Sequence, residues 1–351
     1  MVIVDKTYKF TTLFNEKTGM YIRGDCKDTG KDPFMAEFPH LIDVGIMGHC
    51  IHGKTGLCAK AGIGCYQSGM LKEEPNMAVE DFKRIAEECR GRTNQFALGG
   101  RGDPDQHEHF AAILKICREN NIVPNFTTSG YGMTPEIAEI CKRYCGAVAV
   151  SWYRSEYTEN AIRMLLNAGV RTNIHYVVGK NTIDEAIEKL QHNSFPEGIN
   201  AVIFLLHKPV GQGTAGNMLS VNDERLSVFF GEVEKKHPFK VGMDSCFVPG
   251  AINFCHDIET ASLDTCEGAR FSCYIGSDMI MTPCSFDQAG KYTVSLKNMS
   301  IEDAWNSQPF NDFRAVMQGA CKDCEKRECC LGGCPFVPGN VLCPQRCKPT
   351  E

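Results

Sequence analysis

Residues 41–67 read LIDVGIM followed by GHCIHGKTGLCAKAGIGCYQ, and this stretch sets the organisation of the chain. The first seven residues form a short apolar run, which predicts a buried strand. The loop after it contains Cys50, Cys58 and Cys65, with four glycines between the first and the last cysteine. Because glycine lets a backbone wrap closely around a bound group, we expect a metal centre at the carboxyl end of this strand.

The same strand begins a repeating pattern of short apolar runs and helical segments. The predicted strands are Leu41–Met47, Gln95–Leu98, Ile122–Thr127, Ala147–Trp152, Thr172–Val178 and Ala201–Leu206. The predicted helices are Ala78–Arg90, Glu108–Asn120, Pro135–Tyr144, Glu159–Ala168, Ile183–His192 and Asp223–Lys236. Strand–helix units in series predict a parallel sheet with right-handed crossovers. Since six units cannot close an eight-unit barrel, we predict an α/β fold with a partial (β/α)6 TIM-like barrel, and a flat doubly wound sheet is the alternative.

The chain divides into three predicted regions. Residues 1–39 form an N-terminal extension, in which Asn15–Gly19 is the turn of a hairpin. Residues 40–240 form the partial barrel. From residue 241 to 351 cysteines are dense and regular periodicity fades, which predicts a small metal-binding domain.

Composition excludes several classes of protein. The 37 basic and 43 acidic residues give a net charge of −6. The sequence contains no cluster of basic residues of the kind that binds nucleic acid. No apolar stretch approaches the roughly 20 residues of a membrane span. The amino terminus lacks a secretory signal, so we expect a cytoplasmic protein. In that compartment, 20 cysteines favour metal binding over disulfides.

The most specific motif lies near the carboxyl end, where Cys321, Cys324, Cys330 and Cys334 form C-x2-C-x5-C-x3-C. Further cysteines flank it: Cys246, Cys255, Cys266, Cys273, Cys284, Cys329, Cys343 and Cys347. Iron–sulfur clusters and structural zinc ions each take four such ligands, so this region suits two closed sites. The first loop offers three thiolates, which leave one iron of a [4Fe–4S] cluster open. A zinc site completed by His49 or His52 is the alternative.

Taken together, these features resemble radical S-adenosylmethionine (radical SAM) enzymes with a SPASM domain, of the type that matures peptides or proteins. The resemblance covers roughly residues 40–351, although the family's usual first motif is C-x3-C-x2-C and this chain has C-x7-C-x6-C. It implies that Cys50, Cys58 and Cys65 hold a catalytic [4Fe–4S] cluster. It further implies two auxiliary [4Fe–4S] clusters. The ligands implied for the first are Cys266, Cys273, Cys284 and Cys334. Those for the second are Cys321, Cys324, Cys330 and one late cysteine, with Cys347 preferred over Cys343.

The resemblance also implies where S-adenosylmethionine binds. Gly99 and Gly100 follow the second predicted strand, where the family's backbone meets the methionyl amino group. Other contacts are implied near the ends of later strands and beside the third cysteine: Tyr66, Ser151, Arg154, Asn173 and His207. Arginine suits a carboxylate because its guanidinium donates two parallel hydrogen bonds.

The resulting functional hypothesis is reductive cleavage of S-adenosylmethionine to a 5′-deoxyadenosyl radical that abstracts hydrogen from a ribosomally made peptide. Its expected partners are an electron donor such as flavodoxin or ferredoxin and a separate peptide-recognition protein, with no nucleic acid or membrane. Two alternatives stay open, namely a radical enzyme acting on a small molecule and a zinc-binding module without catalysis.

Overall fold

The computed structural model describes residues 1–25, 33–68, 73–259 and 262–345. Within these ranges the strands are β1 (Val2–Asp5), β2 (Phe10–Asn15), β3 (Met20–Asp25), β4 (Leu41–Met47), β5 (Gln95–Gly100), β6 (Val123–Thr128), β7 (Val148–Ser151), β8 (Thr172–Val178), β9 (Ala201–Leu206), β10 (Lys240–Met243), β11 (Ser272–Ile275), β12 (Ile280–Thr282) and β13 (Val294–Ser295). The α-helices there are α1 (Ile51–Thr55), α2 (Leu57–Lys60), α3 (Val79–Cys89), α4 (Phe110–Glu119), α5 (Pro135–Tyr144), α6 (Glu156–Asn167), α7 (Ile183–Gln191), α8 (Arg225–Val233), α9 (Val248–Phe254), α10 (Ile301–Trp305), α11 (Gln308–Gly319) and α12 (Arg327–Cys330).

The main sheet has ten strands in the order β10-β9-β8-β7-β6-β5-β4-β11-β12-β13. Strands β4 to β10 are parallel to their neighbours, as predicted for β4 to β9. Strand β10 adds a seventh that the sequence did not predict, because its four residues, KVGM, are too short and too glycine-containing to stand out. This strand crosses the predicted boundary at residue 240. The sheet stays open between the β10 and β13 edges, which agrees with a barrel that does not close.

The two faces of the sheet differ in what they contact. In β8, Thr172, Ile174, Tyr176 and Val178 are buried, and the residues between them are partly exposed. Alternation of this kind places every second side chain on the same face. The outward faces pack on helices whose apolar residues recur at helical spacing, as Phe82, Ile85, Ala86 and Cys89 do in α3.

Two helix starts show how local sequence sets the boundaries. The Thr134 side chain accepts a hydrogen bond from the Ile137 backbone N–H, so it caps α5 as predicted. The predicted start of the next helix at Glu159 is wrong by three residues. Helix α6 begins at Glu156 because the Ser155 side chain accepts the capping hydrogen bond from the Thr158 backbone N–H.

The predicted N-terminal hairpin is present as β2 and β3, and β1 adds a third antiparallel strand. Its turn covers the amino end of the barrel, where Glu16 pairs with Arg118 at 2.8 Å and its carbonyl accepts a hydrogen bond from Arg171 at 2.9 Å. A cavity of about 760 Å³ lies between this hairpin and the inner face of the sheet. Ala97, Thr127, Ala149, His175 and Ile203 are among the residues that line it.

The described helices are all too short or too polar to cross a bilayer. All of the described cysteines are free thiols.

Candidate functional site

Cys50, Cys58 and Cys65, here called the loop thiols, follow β4 directly. Cys50 caps α1, Cys58 lies in α2, and Cys65 follows the second helix. Burial raises the pKa of the Cys58 thiol to about 11, and negative charge on Cys50 and Cys65 raises it further. Burial also raises the pKa of Cys50, to which charge on Cys65 contributes. The structure therefore brings the three thiols within electrostatic range of each other, at the carboxyl end of the sheet.

A polar network fixes this loop to the neighbouring strands. The His52 Nε2 atom lies 2.7 Å from Asp103 Oδ2 and 3.1 Å from the Ser129 hydroxyl. The Ser129 backbone N–H donates to Asp103 Oδ1 at 2.9 Å. Sequence reasoning missed Asp103 and Ser129, since single polar residues after strands carry no motif. The His52 Nδ1 atom has no partner among the described residues, and His49 Nδ1 lies 3.3 Å from the Glu74 carbonyl oxygen, so a zinc site completed by either histidine stays the alternative.

Gly99 and Gly100 end β5 beside this loop. Gly100 has φ of +120°, and a Cβ there would lie 2.5 Å from the Met47 carbonyl oxygen, so only glycine fits. Around Gly99 a Cβ would meet no atom within 4 Å, which leaves open space for a ligand beside the backbone. The next residue, Arg101, donates to the Gly48 carbonyl at 3.3 Å, and its buried Nε has no partner among the described residues.

The end of β7 faces the loop thiols from across the sheet. Ser151 ends this strand, and the hydroxyl of Tyr153 lies 3.6 Å from the Cys58 sulfur. Arg154 points elsewhere, because its guanidinium contacts Glu185 at 2.5 Å and the Tyr176 hydroxyl at 3.1 Å. The structure therefore places Tyr153 beside the loop thiols and Ser151 at the carboxyl end of β7, whereas Arg154 is paired with a carboxylate on α7.

The other three residues predicted to contact S-adenosylmethionine lie in different parts of the barrel. His207 follows β9, and its Nε2 lies 3.0 Å from the Thr214 carbonyl, within a loop whose Gln212 N–H donates to the Cys65 carbonyl at 2.9 Å. Tyr66 packs on Phe286, with ring centroids 4.8 Å apart. Asn173 lies near the start of β8, where its Oδ1 accepts from Asn200 at 2.7 Å. The structure does not bring Asn173 to the carboxyl end of the strands.

A second group, the inner thiols, comprises Cys246, Cys266, Cys284 and Cys334. A hydrogen bond from Cys246 lowers the pKa of Cys334 and raises that of Cys246. Charge on Cys266 and Cys284 also acts on Cys334, and charge on Cys246 acts on both Cys266 and Cys284. Each inner thiol thus interacts with the other three. Three of its members, Cys266, Cys284 and Cys334, were predicted as ligands of one cluster.

Cys273, the other predicted member, is not part of this group. It lies in β11 opposite Ile42 and is 1% exposed. Burial raises its pKa, and the charges that add to this effect are those of Cys89 and Asp43. Its side chain points to the opposite face of β11 from Tyr274 because neighbouring residues of a strand alternate. Cys246, which the sequence left unassigned, stands in its place.

The outer thiols are Cys321, Cys324, Cys330 and Cys343, which line one small cavity. Burial raises the pKa of Cys330 to about 11, with added contributions from Cys343 and Cys321. The preferred late ligand, Cys347, lies outside the described residues, so that preference stays a prediction. The Cys329 sulfur contacts the Lys326 carbonyl at 3.2 Å, and Glu234 is the charged neighbour of Cys255.

In the described part of the chain, no three His, Cys, Asp or Glu side chains converge tightly enough to bind a single metal ion. Zinc holds its ligand sulfurs about 2.3 Å from one centre. A [4Fe–4S] cluster binds its thiolates through separate irons and so accepts a wider group. All-cysteine donor sets of this kind are the ligands that iron–sulfur clusters take.

Comparisons with known proteins identify one region of the chain by sequence. Residues 266–325 match the family model of SPASM, an iron–sulfur cluster-binding domain. No curated protein sequence matches the chain. The fold and the C-terminal match together define an open parallel α/β sheet joined to a SPASM domain.

Solved structures share this fold. Streptococcus suis SuiB bound to its precursor peptide SuiA has a TM-score of 0.66 at 13% identity, covering 96% of each chain. SuiB bound to S-adenosylmethionine has a TM-score of 0.63 at 15% identity, covering 88% of this chain and 78% of that one. The enzyme anSMEcpe with bound AdoMet and the Cp18Cys peptide has a TM-score of 0.59 at 16% identity, covering 85% of this chain and 89% of that one.

Proposed function

We propose that this protein is a radical SAM enzyme that modifies a peptide. The observation that carries the proposal is the position of the loop thiols, which are three sulfurs in mutual range at the carboxyl end of β4. Three thiolates leave one iron of a [4Fe–4S] cluster without a protein ligand. When bound there, the cluster supplies an electron for cleavage of S-adenosylmethionine to methionine and a 5′-deoxyadenosyl radical, which abstracts hydrogen from the substrate.

The chain's own residues hold and orient these groups. The His52–Asp103–Ser129 network fixes the loop that bears Cys50, and Tyr153 restrains Cys58. The open space at Gly99 and the unpaired Nε of Arg101 suit a polar ligand beside the thiols. Ser151, Tyr66 and His207 stay in the proposed binding site, and Gly100 shapes its backbone. Arg154 and Asn173 are left out because their partners are Glu185 and Asn200.

The auxiliary clusters are assigned to the inner and outer thiols, one [4Fe–4S] cluster each. Four cysteines close each site, so their proposed role is electron transfer rather than ligand binding. Flavodoxin or ferredoxin in the cytoplasm would supply the electrons. A peptide substrate is favoured because SuiB and anSMEcpe, which share the fold, were each crystallised with a peptide.

Anaerobic reconstitution tests the proposal directly. The protein should be brown, absorb at about 400 nm and bind roughly a dozen irons. With dithionite it should convert S-adenosylmethionine to 5′-deoxyadenosine and methionine, and omission of dithionite is the control. A colourless protein loaded with zinc would contradict the proposal and favour the zinc-binding module.

A further inference from the structure

Asp43 is a partly buried acid in the middle of β4 that the cluster sites do not use. It is paired across the sheet with Ala97 on β5 and Tyr274 on β11. Ile42 and Val44, on either side of it, are fully buried in the core beneath the helices. Because strand residues alternate, the Asp43 carboxyl faces the inner side of the barrel, as Leu41 does at the edge of the large cavity.

This carboxyl has no partner in the described residues. No hydrogen bond or ion pair to it is present there, and its side chain keeps partial exposure. Burial raises its pKa to about 7, and the only charged group that adds to the shift is another acid, Glu267. That acid already has its own cation, since Arg23 contacts it at 2.8 Å. An acid in such a place lacks the compensating charge that buried carboxylates require.

The other groups around Asp43 are aromatic or sulfur-containing. Tyr274 is its register partner on β11, and negative charge on Asp43 raises the pKa of Tyr274. The Tyr274 hydroxyl stands over the inner face, 2.2 Å from where a Cβ of Gly45 would be. Arg101, the cation near this group, lowers the pKa of Tyr274 but does not shift that of Asp43. A carboxylate beside a tyrosine ring is the combination that binds an organic cation, through an ion pair and cation–π contact.

We propose that Asp43, with Tyr274, binds a basic side chain of the substrate peptide inside the barrel. This inference rests on the proposed function for the nature of the substrate, but it is a statement about binding alone. The lysine or arginine would meet Asp43 on the inner side of the sheet and supply the positive charge that the carboxyl lacks. Asp43 is thus a specificity-determining residue, and it takes no part in cleavage of S-adenosylmethionine.

Binding of short peptides tests the inference without turnover. The probes are acetylated pentapeptide amides, Ala-Ala-X-Ala-Ala, in which X is lysine, arginine, norleucine or glutamate. Retention is measured on immobilised, reconstituted protein with S-adenosylmethionine present. The lysine and arginine peptides should be retained at least tenfold more strongly than the norleucine peptide. Equal retention of all four, including no retention of any, overturns the inference.

Variants locate the effect. In Asp43→Asn the preference for basic peptides should fall to less than twofold, and iron content and the thermal transition check that this variant is folded. Asp312→Asn, which removes an exposed carboxyl on α11, should keep the full preference. A preference that survives in Asp43→Asn contradicts the assignment. If the 5′-deoxyadenosine assay fails while the preference holds, the proposed function is lost and the peptide site stands.

Discussion

The loop thiols and the inner thiols are two cysteine groups built in different ways. The loop thiols come from 16 consecutive residues, positions 50 to 65, and hydrogen bonds to Asp103, Ser129 and Tyr153 steady their loop. The inner thiols come from segments far apart in the chain, and each of the four interacts with the other three. Three thiols beside open space suit a site that must admit a ligand. Four mutually surrounded thiols suit a site that only stores or passes an electron.

The charge around the two groups differs as well. Lys208 lies next to the inner thiols, and the charges of Cys246 and Cys334 help Asp244 to raise its pKa against the opposing effect of burial. The acid near the loop thiols, Asp103, instead raises the pKa of Cys50 and Cys58 slightly. The Lys208 ammonium stabilises added negative charge among the inner thiols. The Asp103 carboxylate has the opposite effect on the loop thiols, because it raises the pKa of Cys50 and Cys58.

Cys58→Ala should produce the largest effect and tests the open site. Loss of one of three ligands should reduce 5′-deoxyadenosine formation at least about 1,000-fold, since the reaction requires the whole cluster. About four irons per chain should also be lost. Cys255→Ala is the matched control, because this thiol lies apart from all three groups, and it should keep both iron and activity. Normal 5′-deoxyadenosine yield in Cys58→Ala would remove Cys58 from the loop thiols.

Cys246→Ala and Cys273→Ala form a pair that tests the closed site. The first variant should lose about four irons, because Cys246 belongs to the inner thiols. The second should keep its iron and lose about 1 kcal/mol of unfolding free energy, as expected for a small cavity in a packed core. Iron analysis and electron paramagnetic resonance of the reduced proteins measure the outcome. The opposite result, iron loss in Cys273→Ala alone, would restore the arrangement predicted from the sequence.

Lys208→Met tests the cation beside the inner thiols. The Lys208 ammonium contacts Asp244 at 2.9 Å and its side chain is 3% exposed, so its removal leaves a largely buried carboxylate unpaired. We expect a loss of about 3 kcal/mol in unfolding free energy. Lys83→Met breaks an exposed pair with Glu87 and should cost less than about 1 kcal/mol. Chemical denaturation of the apoproteins measures the unfolding free energy of both variants. Equal losses would show that the Lys208–Asp244 pair stabilises the fold no more than an exposed pair does.

Tyr153→Phe should produce the smallest effect and probes the contact with Cys58. Removal of one hydroxyl hydrogen bond costs about 1 kcal/mol, which corresponds to a three- to tenfold decrease in S-adenosylmethionine cleavage. Iron content should stay unchanged, since Tyr153 is not a ligand. Tyr144→Phe at the end of α5 should show no decrease. A fall in iron content in Tyr153→Phe would mean that this residue holds the cluster rather than positions Cys58.

Most strands and helices of the barrel could be predicted from the sequence, because short stretches of neighbouring residues define them. Strands β4, β8 and β9 have the predicted limits because each is an apolar run bounded by polar or glycine residues. The start of α5 and its cap follow from Thr134-Pro135 for the same reason. In contrast, β10 was missed because four residues carry too little pattern, and only pairing with β9 makes it a strand.

The cysteine groups of the site could be predicted only where their members lie close together in the sequence. The loop thiols and most of the outer thiols follow from motifs within about 20 residues. Cys246 could not be assigned, because its distance in sequence from Cys266, Cys284 and Cys334 says nothing about distance in space. Arg154 was placed by strand position alone, and the carboxylate on α7 that holds it is not visible from that position. Long-range pairing, which no local pattern encodes, decided each of these cases.

The pairing of β11 with β4 has a consequence for any attempt to divide the chain. Strand β4 sits between β5 and β11, so its backbone is bonded on both sides only while residues 272–275 are present. A fragment cut at residue 240 would leave β4, the strand that precedes Cys50, as an unpaired edge strand, which can associate with other chains. Strand β11 of the SPASM region is therefore part of the barrel sheet. We expect a fragment without it to precipitate rather than to fold as a minimal enzyme.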